Sequence, residues 1–437
     1  MSDRWDREQV LGLAPDAASA KAAGGVAKPT TWSGTGGDDG AVWGECRGSG
    51  KSAYQVSVDL AEPAFRCSCP SRKFPCKHAL GLLLLWSDGE VGGGARPPWV
   101  AEWLQERDGR AQRALERRVT AATKTKDTKT RVPKTAERRE RRVGEGLAEL
   151  DQWLRDQVEH GLAQAEKAPY RLWDDAARRL VDAQAGALAG QVKALAAVPR
   201  QPGWPGRLLA EYALLRLLVR AYQRRDELPA ALRDTVRTRV GFTVAQEDVL
   251  SDGERLRDRW CVTASRDVAT DQLTTRRVWL RGRASGRPAL VLSFAAPGRP
   301  LDASLVVGTA VDAELAFYPG AQPLRALVAR RHGAPEPAVP TGTSVRAVLD
   351  EHAAALARDP WLDRWPAVLA AGRLGWTAQG RLHVIDDAGE VLPLRAAEPW
   401  RLLAVSGGNP VTLAGEWTPS GLRALAVWHR TEGVVIL

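Results

Sequence analysis

Long apolar runs are scarce in these 437 residues. The longest, Ala79–Trp86, falls far short of the roughly 20 residues that span a bilayer, and Leu208–Tyr222 is interrupted by Glu211, Arg216 and Arg220. The opening Met1–Arg7 has no apolar signal core, so a cytoplasmic protein without a membrane span is expected. Signatures of catalysis are missing too: no HExxH, GxSxG or Rossmann glycine pattern occurs. The histidines at 160, 332, 352, 383 and 429 stand in no triad or metal spacing, and His352, after Asp350-Glu351, reads as part of a solvated helix face. Gly48-Ser-Gly-Lys-Ser52 matches the tail of a phosphate-binding loop. That pattern needs an earlier glycine where Glu45 stands, and a helix where Tyr54–Leu60 alternates like a strand. These absences lead to the expectation of a non-enzymatic protein.

Cysteine is sparse as well, five in all, but three of them fall in Cys67-Ser-Cys69-Pro-Ser-Arg-Lys-Phe-Pro-Cys76-Lys-His78. Three thiolates and an imidazole suit tetrahedral Zn²⁺. Cys67 and Cys69, two apart in an extended segment, point the same way and can reach one ion. On a regular helix Cys76 and His78 would diverge by roughly 200°, so that pair belongs in the turn that enters a helix. Pro70 and Pro75 bracket the knuckle between the pairs. A full set of protein ligands makes one structural zinc, not a catalytic one. Cys46 reads as a small buried residue near the cluster, and Cys261 as a core strand position.

The C-x-C-x6-C-x-H pattern, with the strand Tyr54–Leu60 before it and the helix Ala79–Trp86 after it, resembles the SWIM zinc finger on its ββα scaffold. Trp43–Gly50 looks like the lead-in of bacterial members. The resemblance implies zinc on Cys67, Cys69, Cys76 and His78, and a module that binds DNA or protein. It also implies an association with MoxR-type AAA+ ATPases and von Willebrand-type metal-binding proteins.

The whole chain reads as multidomain α+β. Residues 1–90 form an N-terminal domain around the finger, with a short helix near Trp5–Leu11, a second starting near Asp16, and a Gly-rich loop over Ser33–Gly40. The helix after the ligands is apolar all round and is therefore buried. A basic Gly/Pro/Thr/Lys linker follows over 91–134. Leucines at 3–4 spacing make 135–250 an antiparallel helical bundle. From 258 to 437 the period shifts towards two, giving a strand-rich α+β domain interrupted by helical patches at Ser344–Ala357 and Asp363–Ala371, with no internal repeat. Asp386-Asp387-Ala-Gly389 reads as a hairpin turn.

Net charge is +10, and residues 107–142 hold nine of those charges, with fourteen Lys/Arg against five Asp/Glu. A finger surface of Arg47, Lys51, Arg66, Arg72, Lys73 and Lys77, extended by Lys124, Lys126, Lys129 and Arg131 in the arm, could neutralise phosphates. Nucleic acid, DNA above all, is the first expected partner. The alternative is a protein–protein adaptor working with an AAA+ system. Some of the basicity near the knuckle also offsets the net negative charge of a three-thiolate zinc site.

Overall fold

The computed structural model describes residues 5–48, 52–60, 63–71, 73–107, 133–270, 273–296, 299, 301–396, 398–429 and 433–437. It is a multidomain α+β chain. Among the described residues no helix is long and apolar enough to cross a membrane.

The N-terminal region starts with α1 (Arg7–Gly12) and α2 (Ala17–Val26), whose first turns are capped by the Asp6 and Asp16 side chains. A four-stranded antiparallel sheet follows in the order β1 (Trp32–Gly37), β2 (Ala41–Cys46), β3 (Tyr54–Asp59), β4 (Ala64–Cys67). The helix α3 (Lys77–Ser87) packs across it. Residues 78–86 of α3 are all buried, so this helix is the core of the domain and not a surface element. The ββα unit expected from the sequence is therefore β3, β4 and α3, with two more strands added. Gly-rich Ser33–Gly40, expected to be a loop, largely forms β1 and its turn. A side chain at Gly36 would lie 2.9 Å from the Trp43 indole, so glycine there lets the strand pass over the ring.

Residues 91–107 were expected to open a linker, but they lie on this domain. Val91 is buried in its core, Gly37 bridges to Gly93, and Val100 of α4 (residues 98–107) packs on Trp43 and Ala41. Residues 108–132, the middle of the basic arm, lie outside the described residues.

The central region consists of α5 (Pro133–Glu159), α6 (Ala163–Lys167), α7 (Arg171–Asp182), α8 (Gly186–Ala194), α9 (Trp204–Gln223), α10 (Ala230–Val240) and α11 (Gln246–Asp252). Leu147, Leu150 and Leu154 of α5 meet Leu180, Leu208, Leu215 and Val219 in one core, with Trp153, Trp173 and Tyr212 in mutual contact. The C-terminal end of the basic stretch is part of this bundle. Arg139 lies over the Phe242 ring at 4.5 Å and donates to the Gly241 carbonyl, and Glu140 accepts from Arg237.

The C-terminal region, expected to hold no internal repeat, contains one in its strand topology. Strands β5 (Glu254–Ala269), β6 (Thr274–Gly282), β7 (Pro288–Ala295), β8 (Thr309–Phe317) and β9 (Arg325–Arg331) close on themselves in the order β5–β6–β7–β9–β8–β5. The β7–β9 pair is parallel and the other four are antiparallel. The two-residue β10 (Glu336–Pro337) extends β8. After α12 (Val345–Arg358), the same closed circuit recurs. It uses β11 (Trp365–Trp376), β12 (Leu382–Ile385), β13 (Val391–Arg395), β14 (Val411–Thr418) and β15 (Gly421–His429), again with only the third-to-fifth pair parallel. The helix α13 (Pro399–Ser406) joins the third and fourth strands, and β16 (Gly433–Ile436) extends β15. Each first strand is long and carries a register shift, at Val262/Ala264 and at Leu369/Gly372, which bends it around its barrel. A closed five-stranded Greek-key circuit with strand order 1-2-3-5-4-1 is the connectivity of the OB-fold. The chain therefore ends in two OB-type barrels.

Two local expectations are corrected here. Asp363–Ala371, expected to be helical, is mostly strand β11, because barrel pairing on both sides overrides the helix propensity of its Ala and Leu residues. His352 is not on a solvated face: it is buried and accepts from Trp417 Nε1 at 3.2 Å. The expected turn at 386–389 is present, with Gly389 at φ 79° and Asp386 accepting from the backbone of Ala388, Glu390 and Val345.

Candidate metal centre

The local fold brings the four ligand candidates together. Cys67 ends β4, so its extended backbone puts Cys67 and Cys69 on one side. Cys76 is the N-cap of α3 with extended φ, ψ (−77°, 165°), and His78 follows in the first turn. The one non-helical residue resolves the divergence expected of an i, i+2 pair on a helix. No side chain caps α3 at Cys76.

The Cys67, Cys69 and Cys76 sulfurs and a His78 nitrogen all lie within 4.8 Å of one another, with Cys67 Sγ 3.8 Å from His78 Nδ1. A tetrahedron with Zn–S near 2.3 Å has edges of about 3.8 Å, so the group is close to the size zinc needs. Cys76 and His78 are buried, and Cys67 and Cys69 are half-buried. Tyr54 lies against the imidazole at 4.9 Å between centroids, and Phe74 meets Phe65 edge-on at 5.7 Å, so aromatic rings wall the knuckle. Sequence alone marks Tyr54 as a strand residue; its place beside His78 comes from the β3–β4 register.

The thiols share charge unequally. A hydrogen bond from Cys67, helped by His78, draws Cys76 down to about 4. The Cys67 thiol is pushed up by that same bond and by burial, and Cys69 is pushed up chiefly by burial. Without a cation the cluster thus favours one thiolate, whereas a divalent ion stabilises three. The donor set fits one structural Zn²⁺, which would cross-link β4 to the start of α3. Cys46 lies close by, buried in the core, but is not one of the four.

The expected cationic residues are distributed unevenly. Arg47 follows β2, Arg66 lies on β4 and Lys77 opens α3; all three are exposed and have no ion-pair partner among the described residues. Lys73 is exposed but paired at 2.8 Å with Asp16, the N-cap of α2, which removes it from a free cationic surface. Lys51, Arg72, Lys124, Lys126, Lys129 and Arg131 lie outside the described residues. The Gly48–Ser52 segment leads into strand β3, which is not the helix a phosphate loop requires.

Two families match the chain: the SWIM zinc finger over residues 54–86, and the SWIM-associated four-helix bundle domain over residues 138–240. No curated protein and no solved structure matches it.

Proposed function

We propose that this SWIM-type zinc finger protein binds nucleic acid without catalysing a reaction, its zinc-closed finger presenting cations to phosphates. The observation that supports this reading is the trio Arg47, Arg66 and Lys77, exposed around the knuckle without carboxylate partners among the described residues. Because residues 78–86 of α3 are all buried, that helix is not free to enter a groove and read bases. Contacts of this kind neutralise the backbone, so binding should depend on salt more than on sequence. Three phosphates neutralised correspond to a log–log salt slope of about −2 to −3. The basic arm adds further to that slope.

Fluorescence anisotropy of labelled duplex and single-stranded DNA and RNA, titrated at several salt concentrations, tests this. Two variants run alongside: Cys76→Ser, and an arm with Lys124, Lys126, Lys129 and Arg131 changed to Gln. The reading requires binding near physiological salt that weakens in both. Binding that is indifferent to both variants would reject it.

A second reading, a protein–protein adaptor, is favoured by α9. Leu209 and Leu217, each 46% exposed, and Leu214 at 37% form an apolar ridge on the outside of the bundle. The AAA+ ATPase system implied by the resemblance is the partner to assay first. Co-purification that is abolished by Leu209→Lys and Leu217→Lys would support the adaptor.

A further inference from the structure

Four guanidiniums converge at one end of the helical bundle. Arg138, Arg139 and Arg142 lie early in α5, where 138 and 142 fall one turn apart on the same face and 139 stands beside them. Arg237 comes from the last turn of α10, and Phe242 follows that helix after Gly241. With Gln184, just past the end of α7, these side chains line a cavity of about 430 Å³. A side chain at Gly146 would lie 2.3 Å from Ala183 Cβ, so glycine there lets the end of α7 close against α5 and complete the wall. The volume falls in the range of sites that hold small molecules, roughly 300–1,000 Å³.

The charge of this cavity is not balanced from within. Among the described residues Glu140 is the one carboxylate in its lining, and it is already taken up. It accepts from the Tyr222 hydroxyl and from Arg237, and pairs with Arg225 at 3.8 Å. Arg139 donates to the Gly241 carbonyl at 3.0 Å and so covers the end of α10. The guanidiniums of Arg139 and Arg237 both lie over the Phe242 ring, at 4.5 and 4.4 Å from its centroid. These contacts fix two of the four arginines in place and leave N–H donors over, since each guanidinium carries five. Arg138 and Arg142 have no carboxylate partner among the described residues.

Gln184 adds an observation of a different kind. Its φ is 64°, and among the described residues only Ala371 shares a positive φ without being glycine. The Gln184 N–H donates to the Val181 carbonyl and that of Ala185 to the Leu180 carbonyl, at 2.9 and 2.8 Å. This is the Schellman ending of a helix, with Gln184 at the left-handed position where glycine is usual. Glycine would close α7 with less strain, so a side chain is kept here against local preference, and strain of this kind gathers at ligand sites. The Gln184 carboxamide lines the cavity and makes no hydrogen bond among the described residues.

We propose that this cavity binds a small phosphate-bearing molecule, its phosphoryl oxygens taking hydrogen bonds from Arg138, Arg142 and Gln184 on a frame set by Arg139 and Arg237. The planar fork of a guanidinium matches pairs of phosphate oxygens, and several forks around one concavity suit a compact anion of more than one charge. A closed-ended cavity of this size takes a small molecule, where a strand of nucleic acid needs a continuous groove. The site belongs to the bundle core and needs neither the zinc knuckle, which sits in a different core, nor the arm.

Isothermal titration calorimetry of the 437-residue chain with inorganic phosphate and with pyrophosphate tests this, beside acetate and citrate as carboxylate controls. Wild-type protein should bind at least one of the phosphates, more tightly than either carboxylate, and its Tm should rise with that ligand. Arg138→Gln and Arg142→Gln should each weaken the complex about 10- to 150-fold, the worth of a hydrogen bond to a charged group. Neither should lower the Tm of the unliganded protein, because neither side chain has an ion-pair partner among the described residues. Gln184→Gly tells ligand contact from helix capping: it should raise the unliganded Tm by relieving the left-handed strain, yet weaken the phosphate complex at least about twofold. Cys76→Ser should leave phosphate binding unchanged, so the finger reading can fail without this one. Neither phosphate bound, carboxylates held as tightly, or an affinity unchanged in any of the three bundle variants would overturn the site.

Discussion

Replacing Glu416 should loosen the joint between the two barrels, and the size of the effect can be worked from its contacts. Glu416 belongs to β14 of the second barrel and is 1% exposed. It accepts from Trp279 Nε1 at 3.0 Å, Arg277 at 3.2 Å and Arg266 at 3.1 Å, all on the first barrel, and from Arg364 at 3.5 Å. Removing one partner of a buried pair costs about 3–5 kcal/mol, because the opposite charge is left uncompensated. Here the arginine side chains are 19–30% exposed, so water screens part of that cost. About 3 kcal/mol is the expected loss for Glu416→Ala. In a unit of this size it corresponds to a fall of roughly 6–12 °C in Tm. Glu416→Gln keeps an acceptor for Trp279 and should fall less.

The pH dependence follows in sign. Burial would raise the Glu416 pKa, but Trp279 and the arginines 364, 277 and 266 outweigh it and hold it below the ordinary value of 4.5. A carboxylate depressed in the folded state stabilises above its unfolded pKa and loses that contribution as pH falls through the depressed value. Wild-type protein should therefore lose its advantage over Glu416→Gln between about pH 4.5 and the lower folded value. Scanning calorimetry at pH 7 and at stepped acid pH reads both effects. A Tm for Glu416→Ala within about 1 °C of wild type at pH 7 would show that Glu416 does not hold the joint, since a loss of about 3 kcal/mol cannot hide in that interval.

Two further predictions concern the finger. Cys76→Ser, or a strong chelator, should expose the knuckle to trypsin at Arg66 and Lys73, while α3, held by its own buried residues, and the bundle stay protected. Equal cleavage with and without metal, followed by peptide mass spectrometry, would contradict this. Zinc uptake should release protons at neutral pH, because Cys67 and Cys69 lie above the ordinary thiol range whereas Cys76 is at about 4. Affinity for zinc should therefore fall as pH falls, and competition with a zinc dye across pH 6–8, roughly the range where thiols take up protons, would read it.

The metal centre was legible in the sequence because its four ligands fall within twelve residues, and local chain geometry alone decides whether they converge. The bundle was legible for a related reason: leucines at 3–4 spacing report burial within one helix. The barrels were not. Their identity lies in which strand pairs with which, and β7–β9 and β13–β15 join segments separated by intervening chain that no local pattern reports. The two circuits also share no motif, so the repeat is visible only as topology. At β11, Ala and Leu residues suit a helix, and strand conformation is imposed by neighbours on both sides. At β1, glycine-rich sequence reads as loop until the Trp43 ring that requires those glycines is in place.

Native mass spectrometry of the 437-residue chain, with a single-stranded oligonucleotide added, is the most direct test of a zinc-closed finger on a chain proposed to bind nucleic acid. The expected result is one zinc per wild-type chain, none in Cys76→Ser, and a stable mass shift of one oligonucleotide on the zinc-loaded species. A wild-type chain that carries no zinc, or a zinc-loaded chain that never retains the oligonucleotide, would contradict it.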